Sequence, residues 1–239
     1  MPKFRTVLLD CDSTLSAIEG IDELAVHCRD DVAELTDAAM RGRIPLEEVY
    51  GRRLRLVQPT RASIDALARE YVRRLVPDAA ETIQALHAAG VDVRIISGGL
   101  LPAVLAVAAC VGVPATHVAA VNIMFNTDGS YADFDARSPL AATGGKRVAI
   151  ERWNVPRPAM MVGDGSTDLE ARPVVDLFVA FAGVVERPSV VQAADIVVRA
   201  NSLAPLLPIA LHVDELVRTP FQSLYQRGAA LSAAHVSLT

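Results

Sequence analysis

Aspartates and small polar residues recur in four short segments of this 239-residue chain. In the first, two carboxylates stand two residues apart directly after an apolar run, in Asp10-Cys11-Asp12-Ser13-Thr14. Paired carboxylates can act as a nucleophile and as an acid or base toward a substrate. The same pattern is common in turns and solvated loops, so taken alone it fits a structural role equally well.

The other three segments contain groups that suit an anion, and further carboxylates. Ile95-Ile96-Ser97-Gly98-Gly99 joins a hydroxyl to glycines whose N–H groups can approach an anion closely. Gly144-Gly145-Lys146 places a cation at the start of an expected helix. In Gly163-Asp164-Gly165-Ser166-Thr167-Asp168 a strand ends and a helix begins, so an aspartate there could simply cap the helix. A plain turn, a solvated lysine and a helix cap are the structural alternatives for these segments.

Helix capping does not explain why one sheet edge collects four aspartates, namely Asp10, Asp12, Asp164 and Asp168. Carboxylates within a few ångström of one another repel and take up protons unless something compensates their charge. A bound divalent cation supplies that compensation, and an all-oxygen ligand set favours Mg²⁺ over zinc. Because Lys146 and Ser97 could each bind a phosphate oxygen, the set predicts a phosphoryl-transfer site.

Strand and helix patterns alternate in the part of the chain that positions these residues. Apolar runs predict strands at 4–9, 91–96, 117–121, 159–162, 177–180 and 196–198, with helices at 78–89, 101–111 and 145–153. A hairpin is expected within 122–135, around Asn126-Thr127-Asp128-Gly129. The alternation predicts an α/β fold, a Rossmann-like doubly wound parallel sheet with helices on both faces.

A helical segment without strand pattern interrupts this alternation after the first strand. It is broken at Gln58-Pro59, with Thr60 as an expected N-cap. We therefore expect a catalytic core formed by 1–15 and 75–200, and an inserted helical cap at 16–74 over the carboxyl edge of the sheet. Linkers near Ser16 and Val76-Pro77 should act as hinges. Residues 201–239 are expected to form a helical extension that supplies stability or assembly.

Composition narrows the classes of protein and partner. Hydrophobic residues make up 51% and charged residues 21%, which is typical of a folded globular chain. A net charge of −5, 5% aromatic residues and the lack of a basic run argue against nucleic acid as a partner. Three cysteines without a C-x-x-C pair favour a reducing compartment. The uncharged stretch 95–127 is long enough to cross a bilayer, but internal Gly, Pro and Asn residues divide it. With no signal-peptide pattern at the N-terminus, we expect a soluble cytoplasmic protein with no membrane partner.

The four segments resemble, in order and spacing, the motifs of the haloacid-dehalogenase-like phosphatases. Within these, the closest similarity is to the family that hydrolyses O-phospho-L-serine, the last step of serine biosynthesis. Ile18-Glu19-Gly20-Ile21-Asp22-Glu23-Leu24 is similar to the start of that family's cap, and Arg53-Leu54 through Gln58-Pro59 to its second half. The similarity extends from about residue 4 to about residue 200. Leu100 and Ser166 depart from the family's usual residues at positions that carry no chemistry.

The resemblance implies a Mg²⁺-dependent mechanism with a covalent aspartyl-phosphate. Asp10 would be the nucleophile, and Asp12 the acid that protonates the leaving serine oxygen and then the base for water. Mg²⁺ would be held by the Asp10 carboxylate, the Asp12 backbone carbonyl and Asp164, supported by Asp168 through waters. The phosphate-binding residues would be Ser97, Gly98, Gly99, Lys146 and Thr167, with Thr14 supporting the loop.

The same resemblance assigns the substrate's amino-acid end to the cap. Glu19 would bind the ammonium group and Arg53 the carboxylate, although an ordinary surface ion pair is the simpler alternative for the two. Met40 would line the pocket or belong to the cap's own core. A small phosphorylated amino acid is thus the expected partner, with the chain a monomer or a homodimer.

Three other functions fit the sequence less well. The motifs are also compatible with a related phosphatase that acts on another small phosphomonoester. A non-catalytic relative would be expected to lose some of Asp10, Asp12, Lys146 and Asp164, and all four are present. The third alternative is a protein phosphatase, or a phosphotransferase that delivers its phosphoryl group to another acceptor. The helical cap expected here indicates a closed pocket and argues against macromolecular substrates.

Overall fold

The computed structural model describes residues 1–40, 44, 46–217 and 219–238, and for 36–40, 46 and 47 it describes the backbone alone. Its strands are β1 (Thr6–Leu9), β2 (Asp92–Leu100), β3 (Val118–Val121), β4 (Ile123–Phe125), β5 (Tyr131–Phe134), β6 (Ala159–Gly163), β7 (Leu177–Phe181), β8 (Ile196–Val198) and β9 (Val236–Leu238). Seven of them form one sheet in the order β3-β2-β1-β6-β7-β8-β9, and β4 and β5 form a hairpin. The first six strands of the sheet are parallel, and β9 runs antiparallel to β8.

The helices are α1 (Gly20–Leu24), α2 (Arg29–Met40), α3 (Leu46–Val57), α4 (Arg61–Arg73), α5 (Ala79–Ala88), α6 (Leu101–Val111), α7 (Gly145–Trp153), α8 (Ser166–Leu169), α9 (Pro188–Ala193), α10 (Leu206–Ala210) and α11 (Gln222–His235). Single 3₁₀ turns occur at Ala115–His117, Pro139–Ala141, Arg172–Val174 and Val213–Glu215. In the described part of the chain, no helix is both long enough and apolar enough to cross a bilayer.

Both faces of the sheet are covered by apolar side chains. Along β1, Val7 and Leu9 belong to one buried cluster and Leu8 to another, because successive side chains of a strand point to opposite faces. A central parallel strand that is buried on both faces needs an unbroken apolar run, and Val7, Leu8 and Leu9 are all fully buried. The structure confirms the expected α/β fold with a mostly parallel sheet.

Helices α1 to α4 form the insertion between β1 and β2. The two chain segments that connect it to the sheet run side by side, since Ala17 N donates to Arg74 O at 2.8 Å and Val76 N to Leu15 O at 2.9 Å. The side chain of Thr60 accepts a hydrogen bond from Ser63 N at 3.2 Å and so caps α4 as expected. The β4–β5 hairpin contacts the same helix, with Arg61 N donating to Gly129 O at 2.9 Å.

The last 39 residues contribute to the core as well as to the surface. Leu203, Leu206 and Leu207 are fully buried in the larger apolar cluster. The segment also contains β9, a strand that the sequence did not predict, which pairs Val236 with Val198 at the edge of the sheet.

Candidate active site

The four motif segments meet at the carboxyl edge of the sheet, around a cavity of about 370 Å³. Asp10 follows β1 and Asp164 follows β6, and these strands are neighbours in the sheet. Asp10 N donates to Val162 O at 3.0 Å, which continues the strand pairing into the loop. Parallel pairing therefore brings the two aspartates together although they are far apart in the sequence.

Three buried carboxylates lie together in this cavity. Asp10, Asp164 and Asp168 each present an oxygen within 4.8 Å of the others. Burial, with the charge of Asp10 added, raises the pKa of Asp164 to about 6 and that of Asp168 to about 8. Clustered carboxylate oxygens are the ligands that a hard divalent cation such as Mg²⁺ prefers, so the residues present fit such an ion.

Lys146 supplies positive charge inside the cluster. Its Nζ lies 2.8 Å from Asp10 Oδ1 and donates to Asp168 Oδ1. Burial alone would lower the pKa of the ammonium, but Asp10 and Asp168 together raise it above its ordinary value. The lysine is 4% exposed, so it stays charged in a place where an unpaired ammonium would be costly.

Glycines make room for this arrangement. A Cβ at Gly163 would lie 2.2 Å from Asp168 Cγ, and one at Gly145 would lie 1.8 Å from Pro139 O. Gly165 N donates to Asp168 Oδ2 at 2.9 Å, which holds the carboxylate at the start of α8. Gly163 thus makes room for Asp168, and Gly145 lets the start of α7, which carries Lys146, pack against Pro139.

Asp12 lies beside Asp10, but its carboxylate is outside the cluster of three. Its Oδ1 accepts hydrogen bonds from Gly20 N at 2.7 Å and from the Tyr71 hydroxyl, and its Oδ2 from Ser97 Oγ at 3.3 Å. Burial, followed by the charges of Glu19 and Asp10, raises the pKa of Asp12 to about 7. Near neutral pH this carboxyl group can both hold and release a proton.

The second segment lies in an irregular part of β2, where the sequence predicted a loop. The pairing of β2 with β3 shifts register between Ile96 and Leu100, and such a bulge redirects the backbone. Gly98 and Gly99 line the cavity, whereas Ser97 is fully buried with its Oγ accepting from Gly99 N at 2.9 Å. Gly98 O accepts a hydrogen bond from the Tyr50 hydroxyl of α3 at 2.8 Å.

Glu19 and Arg53 both line the cavity from the insertion, but each pairs with another residue. Glu19 Oε1 accepts from Ser13 Oγ at 2.8 Å and from Arg187 Nη2 at 2.9 Å. Arg53 donates through Nη2 to Asp22. The Nε of Arg53 is buried and has no hydrogen-bond partner among the described residues.

The remaining expected site residues have separate positions. Thr167 lines the cavity beside Asp168. Thr14 is fully buried, and its Oγ1 has no hydrogen-bond partner in the part of the chain that the structure describes. The side chain of Met40 lies outside the described residues, so the expectation that it lines the pocket stays a prediction.

Arg187 is a cavity residue that the sequence analysis did not single out. It precedes α9 and donates from Nε to Asp164 Oδ2 at 2.8 Å and from Nη2 to Glu19 at 2.9 Å. It thereby joins the core's carboxylate cluster to the insertion. The sequence contains one indication of this position, because Arg187 follows the expected strand 177–180 and therefore lies near the same sheet edge. It belongs to none of the four motif segments.

Comparisons with known proteins agree with this geometry. Residues 4–172 match the family model of the haloacid dehalogenase-like hydrolases. The chain is 40% identical over 195 residues to phosphoserine phosphatase of Bos taurus, covering 79% of this chain and 86% of that protein. It is 37% identical over 198 residues to the chloroplastic phosphoserine phosphatase of Arabidopsis thaliana, covering 80% and 67%.

A solved structure shows the same likeness in three dimensions. The phospho-aspartyl intermediate analogue of a phosphoserine phosphatase superposes with a TM-score of 0.71 at 25% identity, covering 86% of this chain and 98% of that one. The chain belongs to the haloacid dehalogenase-like hydrolases, and within them to the phosphoserine phosphatase family.

Proposed function

We propose that this protein hydrolyses O-phospho-L-serine to L-serine and phosphate through an aspartyl-phosphate on Asp10. The observation that carries the proposal is the buried group at the sheet edge, formed by Asp10, Asp164, Asp168 and Lys146. Asp12 lies beside this group, and the insertion contributes two residues of opposite charge to the same cavity, Glu19 and Arg53. A carboxylate nucleophile divides phosphomonoester hydrolysis into two easier displacements, since its acyl phosphate is readily hydrolysed.

The core residues bind the phosphoryl group and its charge. Lys146 orients Asp10 and offsets the negative charge that develops on the phosphoryl oxygens. Gly98, Gly99 and Thr167 line the same cavity and would bind the other oxygens. Ser97 is fully buried and its Oγ donates to Asp12, so it would bind an oxygen only after turning its hydroxyl toward the cavity. Asp10, Asp164 and the Asp12 carbonyl would hold Mg²⁺, and Asp168 would support the ion through waters. The ion would supply further charge stabilisation.

Asp12 handles the protons of both displacements. When the bond from phosphorus to the seryl oxygen breaks, Asp12 gives its proton to that oxygen, because an alkoxide is a poor leaving group. The resulting carboxylate then accepts a proton from the water that attacks the aspartyl-phosphate. Phosphate leaves, and both aspartates return to their starting state.

The insertion supplies recognition of the amino-acid end. Arg53 and Glu19 both line the cavity, where a guanidinium suits a carboxylate and a carboxylate suits an ammonium group. For Glu19 to bind substrate it must share its carboxylate with Arg187, so Arg187 tunes the charge at this end of the pocket. A phosphomonoester that lacks both groups would leave Glu19 and Arg53 without charged partners in the closed pocket and would therefore be a poorer substrate.

The division into core (1–15 and 75–200), cap (16–74) and extension (201–239) is part of this proposal. The paired linkers at Ala17–Arg74 and Leu15–Val76 suit hinges for a cap that opens to admit substrate. Hydrogen exchange of 16–74 should slow when a phosphate analogue binds. Identical exchange with and without the analogue would contradict a moving cap.

We further propose a cytoplasmic location and a monomer or homodimer that binds no nucleic acid. The three cysteines are free thiols, as a reducing compartment requires. Cell fractionation tests the location, the measured mass in solution tests the oligomeric state, and the absorbance ratio of the purified protein at 260 and 280 nm tests for bound nucleic acid.

The test of the substrate is a turnover screen over a panel of small phosphomonoesters, with and without Mg²⁺. The proposal predicts that phosphoserine has the highest kcat/KM and that turnover needs the ion. A preference for sugar phosphates would instead assign the protein to another substrate within the same superfamily.

A further inference from the structure

The two oxygens of the Asp12 carboxyl group have different surroundings. Oδ1 accepts hydrogen bonds from two donors of the insertion, the Gly20 amide at 2.7 Å and the Tyr71 hydroxyl. Oδ2 accepts a single hydrogen bond, from Ser97 Oγ at 3.3 Å, and so keeps one lone pair, on the side of the residues expected to bind phosphate. An oxygen that already accepts two hydrogen bonds has no room for a proton of its own, so the carboxyl proton belongs on Oδ2.

We propose that Tyr71 is a positioning residue for proton transfer: with the Gly20 amide it holds Oδ1 of Asp12, so that Oδ2 delivers the proton to the leaving oxygen. The inference rests on the proposed function, in which Asp12 is the general acid. Tyr71 is not among the described residues that line the cavity, and it acts through Asp12.

The surroundings of Tyr71 are built for this contact. The residue lies in the last turn of α4 and is fully buried. A Cβ at position 20 would lie 2.0 Å from the Tyr71 hydroxyl oxygen, so the tyrosine reaches Asp12 because residue 20 is glycine.

The contact also joins two parts of the chain. Asp12 belongs to the loop after β1, whereas both donors to Oδ1 belong to the insertion, at the start of α1 and near the end of α4. Ser16 Oγ donates to the Tyr71 backbone carbonyl at 3.0 Å, which ties the same turn of α4 to the linker. The orientation of the acid therefore depends on the insertion being in the position seen here.

The proton transfer that Tyr71 supports can be written atom by atom. The O–H bond at Asp12 Oδ2 breaks as the bond from phosphorus to the seryl oxygen breaks, and the proton goes to that oxygen. A leaving group that is stable as an anion, such as p-nitrophenolate, needs no such proton. Loss of the Tyr71 hydroxyl should therefore slow phosphoserine far more than p-nitrophenyl phosphate.

The experiment is the ratio of kcat/KM for phosphoserine to kcat/KM for p-nitrophenyl phosphate, measured with Mg²⁺ for wild type and Tyr71→Phe. We expect this ratio to fall by about 10- to 100-fold, a part of the 10²- to 10⁴-fold that general acid–base catalysis contributes. Both substrates are measured on one preparation, so a smaller folded fraction leaves the ratio unchanged. If Tyr71→Phe does not fold, Tyr71→Met, which fills similar space without a donor, takes its place.

Two controls separate positioning from structural support. Ser16→Ala removes a buried hydrogen bond to the same turn of α4 but leaves the Tyr71 hydroxyl on Asp12, and we expect the ratio to stay within about twofold of wild type. In an Asp12→Asn background, Tyr71→Phe should not change the ratio further, because the group through which it acts is gone.

The outcomes distinguish this inference from the proposed function. Equal losses on both substrates in Tyr71→Phe, or a fall that persists in the Asp12→Asn background, would overturn the positioning role. If wild type turns over p-nitrophenyl phosphate but not phosphoserine, the proposed substrate fails. The Tyr71 inference would then be decided by the same ratio with an alkyl phosphate that the enzyme does accept.

Discussion

Replacing Arg53 should distinguish recognition of the substrate's carboxylate from every other part of turnover. The Arg53 side chain is 20% exposed, donates to Asp22 through Nη2 and lines the cavity. Arg53→Ala should lower kcat/KM for phosphoserine strongly. O-phosphoethanolamine, which keeps the phosphate and ammonium groups but lacks the carboxylate, should be affected little.

The magnitude follows from the cost of an unpaired charge in a closed pocket. Truncating one partner of a buried, hydrogen-bonded charge pair costs about 2–5 kcal/mol. At about 1.4 kcal/mol per tenfold, this is about 30- to 3,000-fold in kcat/KM. Because Asp22 already shares the guanidinium and the site is partly open to water, we expect the lower part of this range, about 30- to 300-fold. The loss on phosphoethanolamine should stay below about threefold, within the effect of an ordinary surface change.

Arg52→Ala is the matched control for this variant. Arg52 is the preceding residue in α3 and pairs with Glu48 on the exposed side of that helix. Its removal should leave both substrates unaffected. Steady-state kinetics of the three proteins on the two substrates complete the test. An equal loss on phosphoserine and phosphoethanolamine in Arg53→Ala would refute carboxylate recognition by this residue.

Three further predictions concern the nucleophile, the metal and the C-terminal segment. Asp10→Asn should leave the circular dichroism spectrum unchanged and abolish turnover of every substrate, and measurable turnover by the folded variant would rule out covalent catalysis at this residue. Chelation should stop turnover, and adding Mg²⁺ at 100 times its Kd to the stripped protein should raise the free energy of unfolding by about 2.7 kcal/mol, because the ion binds the folded cluster. Tm should rise accordingly, and a Tm that does not respond to Mg²⁺ would contradict the site. Ser202→Ala removes the 2.6 Å hydrogen bond from Ser202 Oγ to Asp78 and should cost about 1–2 kcal/mol in a urea titration with kcat unchanged, whereas a loss of kcat would show that the segment serves the chemistry.

The parts of the fold and site that the sequence predicted are those that short segments determine. The apolar run before Asp10 can be satisfied only by a strand buried on both faces, and parallel strands bring the loops that follow them to one edge. The cluster of Asp10, Asp164 and Asp168 therefore followed from the spacing of residues along the chain. The N-cap at Thr60 is likewise a local feature.

The parts that the sequence did not predict depend on contacts between distant segments. Tyr71 lies 59 positions from Asp12 within an ordinary amphipathic helix, and its hydroxyl has a role only because Gly20 leaves space for it. Arg187 acts through Asp164 and Glu19, which different elements position. Strand β9 is a short segment after a helix, and it pairs with β8 because β8 otherwise forms an unpaired edge of the sheet. In each case the local pattern fits several structures, and tertiary packing selects one.

Identification of the phosphorylated residue tests the central claim most directly. Wild-type protein with Mg²⁺ is mixed with phosphoserine, quenched in acid within the first turnovers, reduced with borohydride and digested for mass spectrometry. We predict that residue 10 is converted from aspartate to homoserine, the reduction product of an acyl phosphate, and that Asp164 and Asp168 remain unmodified. A modification at another residue, or none at position 10 in an enzyme that turns phosphoserine over, would contradict a mechanism through Asp10.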